Sequence, residues 1–411
     1  MTHLSKNTKK CHLCGHTNLI KYLDLGKTAL VNSYIKTRNK KENKYPLQVL
    51  YCGNCHLSQL NCVVNRKLIF QKYAYFSSTS PQLEKYFKEY AEKILKKFPH
   101  QSRKLIVEIA SNDGILLKYF KKEGVKVLGI DPAKNIAKIA NKKGLKTLPL
   151  FFNQENSKII RKKYGKAGVI IANNVLAHDD NINSILKGVT NLLDKDGVFV
   201  FEVQYLLDLI ERKAFDNTYH EHVFYFSVHP LKKALEEHGL QIFNIEKTPA
   251  QGGSIRVYVG HMNTYKVNKN VDKLLKSEKS KGLYKIKTYK EFSKKPEELK
   301  IKLIKLLKNV KKDGGKIAGY GASAKGNTLL QYCGIDTKLI DYIVDTAPSK
   351  QGKFTPGTYI PIHPISQLKK DTPDYVLILA WNYADSIIKK EKWLKKKGVK
   401  FIIPISKVKV V

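Results

Sequence analysis

Two stretches of this sequence follow one plan. KLIVEIASNDGILLKYF (104–120) and GGKIAGYGASAKGNTLLQYCG (314–334) each run from a short apolar strand, through a turn of small residues, into a helix. A strand that ends in such a turn brings backbone close to a ligand at the carboxyl edge of a parallel sheet. Further strand–helix units follow the first stretch: VKVLGIDPAKNIAKIA (125–140), GVIIANNVLAHDDNINSILKGVTNLL (168–193) and the strand DGVFVFEVQYL (196–206). IDYIVDTAP (340–348) and DYVLILAWNYADSII (374–388) follow the second. Alternation of this kind predicts an α/β chain with two doubly wound sheets and a ligand crevice in each. At 411 residues the chain exceeds what one core normally serves, and two or three domains are expected.

The residues ahead of the first unit carry a different constraint. Cys11 and Cys14 form CHLC, Cys52 and Cys55 form CGNC, and 37 residues separate the two pairs. Each C-x-x-C places two thiolates on a tight knuckle, and two knuckles complete a tetrahedral four-sulfur site. Zn²⁺ is the expected ion, in a structural role because four protein ligands leave no open position. Cys62 and Cys333 read as packed thiols. The apolar run YPLQVL before YCGNC predicts a strand, and PQLEKYFKEYAEKILKKF (81–98) has apolar residues at helical spacing.

In the first glycine turn, Glu108 ends a strand and Ala110, Asn112, Asp113 and Gly114 form the turn itself. Asp131, 23 residues after Glu108, ends the next strand, where a carboxylate can accept both hydroxyls of a ribose. The turn is not G-x-G-x-x-G, so a pyrophosphate has no cradle there. An acid at the first strand's end suits the positively charged amino-acid portion of S-adenosylmethionine. Asn173, Asn174 and His178 of NNVLAH are placed on the rim of the same crevice. In the second turn, Gly319, Gly321 and Ala324 make a G-x-G-x-x-A pattern whose helix-start amides suit a diphosphate. Ser323, Lys325 and Asn327 stand beside it, and Asn382 and Tyr383 follow a later strand into the same crevice.

FDNTYHEHVF (215–224) packs Tyr219, His220, Glu221 and His222 together. Alone it reads as a metal site, a proton-transfer site or a polar turn. Three adjacent residues face one ion poorly, which counts against the metal.

The formal charge of +40 invites a nucleic-acid reading. The excess is mostly lysine spread over every region, with arginine scarce, so it reads as solvated surface and nucleic acid is not the expected partner. No apolar run approaches the roughly 20 residues that span a bilayer, and MTHLSKNTKKCHLCGH lacks the apolar core of a signal peptide. A cytoplasmic protein without membrane insertion is expected.

Taken in order, CxxC…CxxC, YAYFSS, VEIASNDG, GIDP, NNVLAH, YHEH, GGSIRVY, GYGASAKGN and KFTPGTYIPI resemble the nucleotide-sugar C-methyltransferases that make branched deoxysugars. The likeness runs from about residue 11 to 405. It implies a zinc-binding module (1–70), a class I S-adenosylmethionine-dependent methyltransferase domain (71–265) and a C-terminal Rossmann-like domain (266–411) that holds a nucleotide-sugar substrate. It also implies that His222 is the base that removes a proton beside the ketone of a 4-keto-6-deoxy sugar, carbon 3 being favoured over carbon 5. Tyr219 would be a donor to the growing oxyanion, and Glu221 a positioning group. Tyr73 and Tyr75 match a family segment that reaches the sugar, with the choice between them open. Gly321, Ser323, Lys325, Asn327, Asn382 and Tyr383 would hold the sugar nucleotide. Where the family turn has glycine this chain has Ala110, still small enough for a close approach. Two other readings remain: a nucleic-acid (RNA) methyltransferase, which lacks its N/D-P-P-Y/F loop here, and an NAD-dependent sugar-nucleotide oxidoreductase using the second turn.

Overall fold

The computed structural model describes residues 4–38, 41–70, 78 and 81–411, so Tyr73 and Tyr75 lie outside the described residues. The N-terminal part contains β1 (Ser5–Asn7), β2 (Leu19–Ala29), β3 (Lys44–Cys52), β4 (Ser58–Leu60) and β5 (Cys62–Val64). Tyr45, Leu47 and Val49 alternate along β3 as buried residues, the period that builds a sheet with one packed face. β2, β3 and β4 pair antiparallel, with Val49 opposite both Leu23 and Leu60.

The middle part holds β6 (Leu105–Ile109), β7 (Val127–Ile130), β8 (Thr147–Leu148), β9 (Ala167–Asn173), β10 (Leu193–Gln204), β11 (Phe224–Tyr225), β12 (Leu240–Thr248) and β13 (Ser254–His261). Seven of these form one sheet in the order β8-β7-β6-β9-β10-β13-β12. β6 to β10 run parallel, and β13 is antiparallel to both its neighbours. This is the class I methyltransferase arrangement. Both faces are packed, so the middle of its strands is mostly apolar. Val107, Ile109, Ile170, Ala172, Phe199 and Phe201 face one core. Ile106, Val169, Ile171, Val198 and Val200 face the other, against Tyr90, Ala91 and Ile94 of the helix Pro81–Lys97. The strand order reverses between β6 and β9, which opens a crevice at their carboxyl ends.

β11 leaves this sheet. It pairs instead with β4, Phe224 opposite Gln59 and Tyr225 opposite Ser58, and so completes the N-terminal four-stranded sheet. The chain just before it, residues 215–222, is thereby drawn to the seam between the two parts.

Three helices, Lys269–Ser280, Ile286–Phe292 and Lys295–Lys312, lead to the C-terminal part. Leu299, Leu303, Leu307 and Val310 are buried along one stripe of the last, leaving most of its lysines outward. Glu278 of the first is fully buried and accepts from Val228 N at 2.5 Å and His229 N at 3.1 Å. It thereby caps the helix Val228–Glu237, whose own N-cap Ser227 makes no side-chain cap. The second parallel sheet contains β14 (Ile317–Tyr320), β15 (Tyr342–Val344), β16 (Ile362–His363), β17 (Tyr375–Ile378), β18 (Lys400–Ile403) and β19 (Lys409–Val410), in the order β16-β15-β14-β17-β18-β19. Its reversal lies at β14, where the second glycine turn begins. Among the described residues no helix is long and apolar enough to cross a membrane.

Candidate active site

The four cysteines of the two knuckles converge. Cys11 Sγ lies 3.6 Å from Cys55 Sγ, Cys14 Sγ 3.7 Å from Cys52 Sγ, and all four sulfurs fall within 4.8 Å of one another. A tetrahedral zinc with bonds of about 2.3 Å sets sulfurs about 3.8 Å apart, so the cage is of the right size. Among the described residues this is the one group of three or more His, Cys, Asp or Glu side chains with metal-site geometry. The His-Glu-His stretch does not form another.

At the carboxyl ends of β6 and β7 three carboxylates gather in a chain of otherwise large positive charge. Glu108 and Asp113 are almost fully buried, and Glu108 Oε2 and Asp113 Oδ1 have no hydrogen-bond partner among the described residues. Burial, with Asp131 and Asp113 nearby, pushes the Glu108 carboxyl well above its ordinary pKa. Among the described residues Asp113 meets one ammonium, that of Lys143 at 3.0 Å, on the oxygen that Ser78 also meets. Asp131 accepts from Asn112 N at 3.0 Å and Ala133 N at 2.9 Å, and each of its oxygens keeps a lone pair for a ribose hydroxyl. With Asp113 paired to Lys143, Glu108 is the buried acid that meets no cation among the described residues, and it fits a ligand that brings its own positive charge.

The turn achieves this by backbone strain. Ala110, Asn112 and Gly114 all have left-handed φ, at 56°, 48° and 80°. The φ of Gly114 favours glycine, and a Cβ there would also meet Leu145 Cδ1 at 2.4 Å and force that side chain to move. Ala110 keeps the contact small, as its size implies, but bears a conformational penalty of about 1–2 kcal/mol that glycine would not.

On the adjacent strand end, both amide atoms of Asn173 and Nε2 of His178 are buried without a partner among the described residues. Asn174 is left-handed (φ 53°), its N–H donating to Glu202 O. The His178 ring stacks between Phe70, 5.3 Å away, and His222, 5.2 Å away, and burial lowers its pKa to about 4. Gln204, at the end of β10, adds a buried Oε1 with no partner among the described residues. A glutamine inside FEVQYL reads as one more strand residue, so the sequence carries no signal for it.

His222 faces this rim. Its Nδ1 is 3.3 Å from Asn217 O, and since a carbonyl only accepts, Nδ1 carries the hydrogen. Nε2 is then the lone-pair nitrogen, and it accepts from the Tyr219 hydroxyl at 2.9 Å. Burial, helped by His178 and the charge of Lys325, holds the His222 pKa well below its usual value, so the ring is neutral at pH 7. Glu221 turns the other way and accepts from Asn32 Nδ2 at 2.6 Å. His220 meets Pro46 O at 3.2 Å. The four-residue motif thus divides between crevice and N-terminal part.

At the second glycine turn several of the expected ligand residues are engaged by other parts of the chain. Gly321 is left-handed (φ 87°), as a turn needs. Ser323 Oγ accepts from Gly326 N at 3.0 Å and so caps the helix Ala324–Cys333. Asn327 is fully buried and donates to Val31 O at 2.7 Å, which makes it a tether to the N-terminal part rather than a residue of an open crevice. Tyr34 covers the turn, its hydroxyl donating to Ala322 O at 2.5 Å, and Lys350 Nζ reaches the same carbonyl at 2.8 Å. Lys325 points out of the turn toward the middle part, donating to Gln251 O at 2.6 Å. Asn382 is half-buried and Tyr383 is exposed, on a short 3₁₀ turn after β17. Asp216 and Trp381, which the sequence reading did not single out, meet here: the indole N–H donates to Asp216 Oδ2 at 2.6 Å.

The strand order and the acid-lined first turn define a class I methyltransferase joined to a four-cysteine module. Comparison with known families agrees over nearly the whole chain. A domain family described as zinc binding matches residues 11–70, a methyltransferase domain matches 83–245, and the C-methyltransferase C-terminal domain matches 249–406. The chain is 34% identical over 405 residues to the C-methyltransferase NovU of Streptomyces niveus, covering 98% of this chain and 96% of that one. It belongs to the C-methyltransferase family. Solved structures are far more distant. An S-adenosylmethionine-dependent methyltransferase from Clostridium acetobutylicum is 16% identical, with 43% of this chain and 92% of that one covered and a TM-score of 0.36. Magnesium protoporphyrin IX methyltransferase from Synechocystis, solved with bound SAM, is 12% identical over 43% of this chain and 78% of that one, with a TM-score of 0.33. Scores this low carry no weight beside the family match.

Proposed function

We propose that this chain methylates a carbon beside the ketone of a nucleotide-linked 4-keto-6-deoxy sugar, carbon 3 in preference to carbon 5. Bound S-adenosylmethionine supplies an electrophilic methyl, whose transfer leaves a neutral thioether. Glu108, Asp113 and Asp131 hold this cofactor, with Asn173, Asn174 and His178 on its rim; the buried Glu108 carboxyl, which meets no cation among the described residues, supports that assignment. Cys11, Cys14, Cys52 and Cys55 hold zinc structurally. In this reading residues 1–70 are the zinc module, 71–265 the methyltransferase domain and 266–411 the sugar-nucleotide domain.

The observation that carries the proposal is the state of His222. A neutral imidazole whose Nε2 lone pair is aimed by an Nδ1–H bond, and is held by the Tyr219 hydroxyl until substrate displaces it, is the form a general base requires. It removes the proton from the carbon beside the ketone. The C–H pair becomes a C=C bond and the carbonyl π pair moves to oxygen, giving a carbon nucleophile.

The test is a panel of 4-keto-6-deoxy nucleotide sugars incubated with enzyme and a methyl donor carrying a deuterated methyl. Mass spectrometry should find the label on carbon of one sugar. Label appearing only on RNA, or on no sugar of the panel, would reject the proposal.

A further inference from the structure

Lys325 is a lysine with only 6% exposure, in a position where a long cation is seldom hidden without purpose. Its ammonium donates to Gln251 O at 2.6 Å and lies 5.1 Å from the Trp381 ring centroid. Trp381 in turn donates to Asp216, whose other oxygen, Oδ1, is buried with no partner among the described residues. Asn217, the next residue, is the one whose carbonyl fixes His222 Nδ1. The backbone bends to permit this meeting: Gln251 is left-handed (φ 54°), and a Cβ on Gly252 would stand 3.1 Å from the indole and 3.7 Å from the ammonium. Lys325 therefore belongs to the same electrostatic cluster as the base, although helix Ala324–Cys333 of the C-terminal sheet carries it. Its charge is felt at His222.

Deprotonation beside a ketone leaves a full negative charge on the carbonyl oxygen, and a positive group held in a water-poor site stabilises such charge strongly. The Tyr219 hydroxyl already donates to the lone pair of His222. A second group is needed to meet the oxygen from the outset. We propose that Lys325 is that group: its ammonium faces the substrate's ketone oxygen and stabilises the enolate, rather than binding the diphosphate. The inference rests on the sugar-ketone reading given above. The balance is simple. The Tyr219 hydroxyl turns away from His222 Nε2 as the sugar enters; Nε2 then gains the proton, the oxygen gains the electron pair opposite Lys325, and the pair returns to the carbonyl when the carbon takes its methyl. Burial lowers the Lys325 pKa to about 8 against the pull of Asp216, so the ammonium stays charged at pH 7. The charged groups facing it are Asp216 of the 215–217 turn, Arg212 after the helix Leu206–Glu211, and His222 when protonated.

The experiment omits the methyl donor and follows deuterium entering the carbon to be methylated, at saturating 4-keto sugar nucleotide, with sugar-nucleotide affinity measured by calorimetry. Lys325→Met should bind within about threefold of wild type and exchange roughly 10²-fold or more slowly. Lys325→Gln, which keeps a donor for Gln251 O, guards against a folding failure and should show the same split. Wild-type exchange, corrected for buffer, should fall roughly twentyfold from about pH 7.5 to about 9.5, as a group of pKa near 8 loses its proton. Affinity falling tenfold or more with exchange at saturation unchanged would make Lys325 a diphosphate contact and overturn the proposal, as would two unaffected variants. No exchange by wild type with any such sugar would remove the underlying reading, and the proposal with it.

Discussion

The indole N–H of Trp381 donates to Asp216 Oδ2 at 2.6 Å, and this bond ties the C-terminal sheet to the segment that carries His222. Other parts of the chain grip the same segment. Thr328 Oγ1 donates to Thr218 O at 3.2 Å, Asn32 Nδ2 to Glu221 at 2.6 Å, and Val223 N to Ala177 O at 2.7 Å. The base is therefore aimed by contacts from all three parts of the chain. Trp381→Phe keeps an aromatic ring, though a smaller one, and deletes the donor, leaving a buried carboxylate short of a partner. It should lower the thermal midpoint and cost about 1–3 kcal/mol. Because Asn217 O aims the imidazole, kcat should fall more than kcat/KM for the methyl donor changes. Unchanged kcat alongside a lowered midpoint would make the bond purely structural.

Ala110→Gly should stabilise the protein. Ala110 sits at φ 56°, where a Cβ costs about 1–2 kcal/mol, and glycine's greater freedom in the unfolded chain returns part of that. A net gain of about 0.5–1 kcal/mol is expected, read as a small rise in the thermal midpoint without ligand. A lower midpoint would mean the methyl of Ala110 packs productively.

The four-cysteine site should hold one zinc per chain, measured by elemental analysis of purified protein. Cys11→Ser should release it and destabilise the N-terminal part, because three thiolates bind far more weakly than a closed cage. Activity should fall through the seam: β11 pairs with β4, and Asn32 holds Glu221. Full zinc content in Cys11→Ser would show that the cage is not the metal site.

Asp131→Ala should weaken S-adenosylmethionine roughly 10- to 100-fold by calorimetry, the worth of hydrogen bonds to a charged group, and leave the sugar nucleotide unaffected. Equal loss of both ligands would indicate collapse of the turn, since Asp131 also holds Asn112 N and Ala133 N.

Much of this architecture is legible from residues close in sequence. Both glycine turns, the two knuckles and the helix Pro81–Lys97 follow from local spacing, and the structure forms each of them. What local spacing hides is any partnership that depends on how the parts dock. Asp216 and Trp381 are 165 residues apart, and Tyr34 and Ala322 are 288 apart. Neither pair has a pattern of its own. Phe224 closes FDNTYHEHVF, and with Tyr225 it becomes a strand only because β4 offers an edge to pair with. Lys325 and Asn327 share the glycine-turn helix, yet one faces the middle part and the other Val31, since residues two apart on a helix point in different directions.

His222 should set the acid limb of the reaction. Burial keeps its pKa well below 6.5, so the neutral imidazole persists at pH 6, where an exposed histidine would be mostly protonated. Deuterium exchange at the substrate carbon should therefore hold steady from about pH 7.5 down to about pH 6 and fall only below that. His222→Ala should leave both ligands bound and slow exchange roughly 10²- to 10⁴-fold, the usual worth of a positioned base. Tyr219→Phe should be milder in rate but should move the limb. The Tyr219 hydroxyl donates to Nε2 and favours the unprotonated ring, so its removal raises the His222 pKa and shifts the acid limb upward. The two variants together separate the roles: one deletes the base, the other only changes when it is available. An acid limb that stays put in Tyr219→Phe, or exchange in His222→Ala as fast as in wild type, would transfer the proton abstraction to another group.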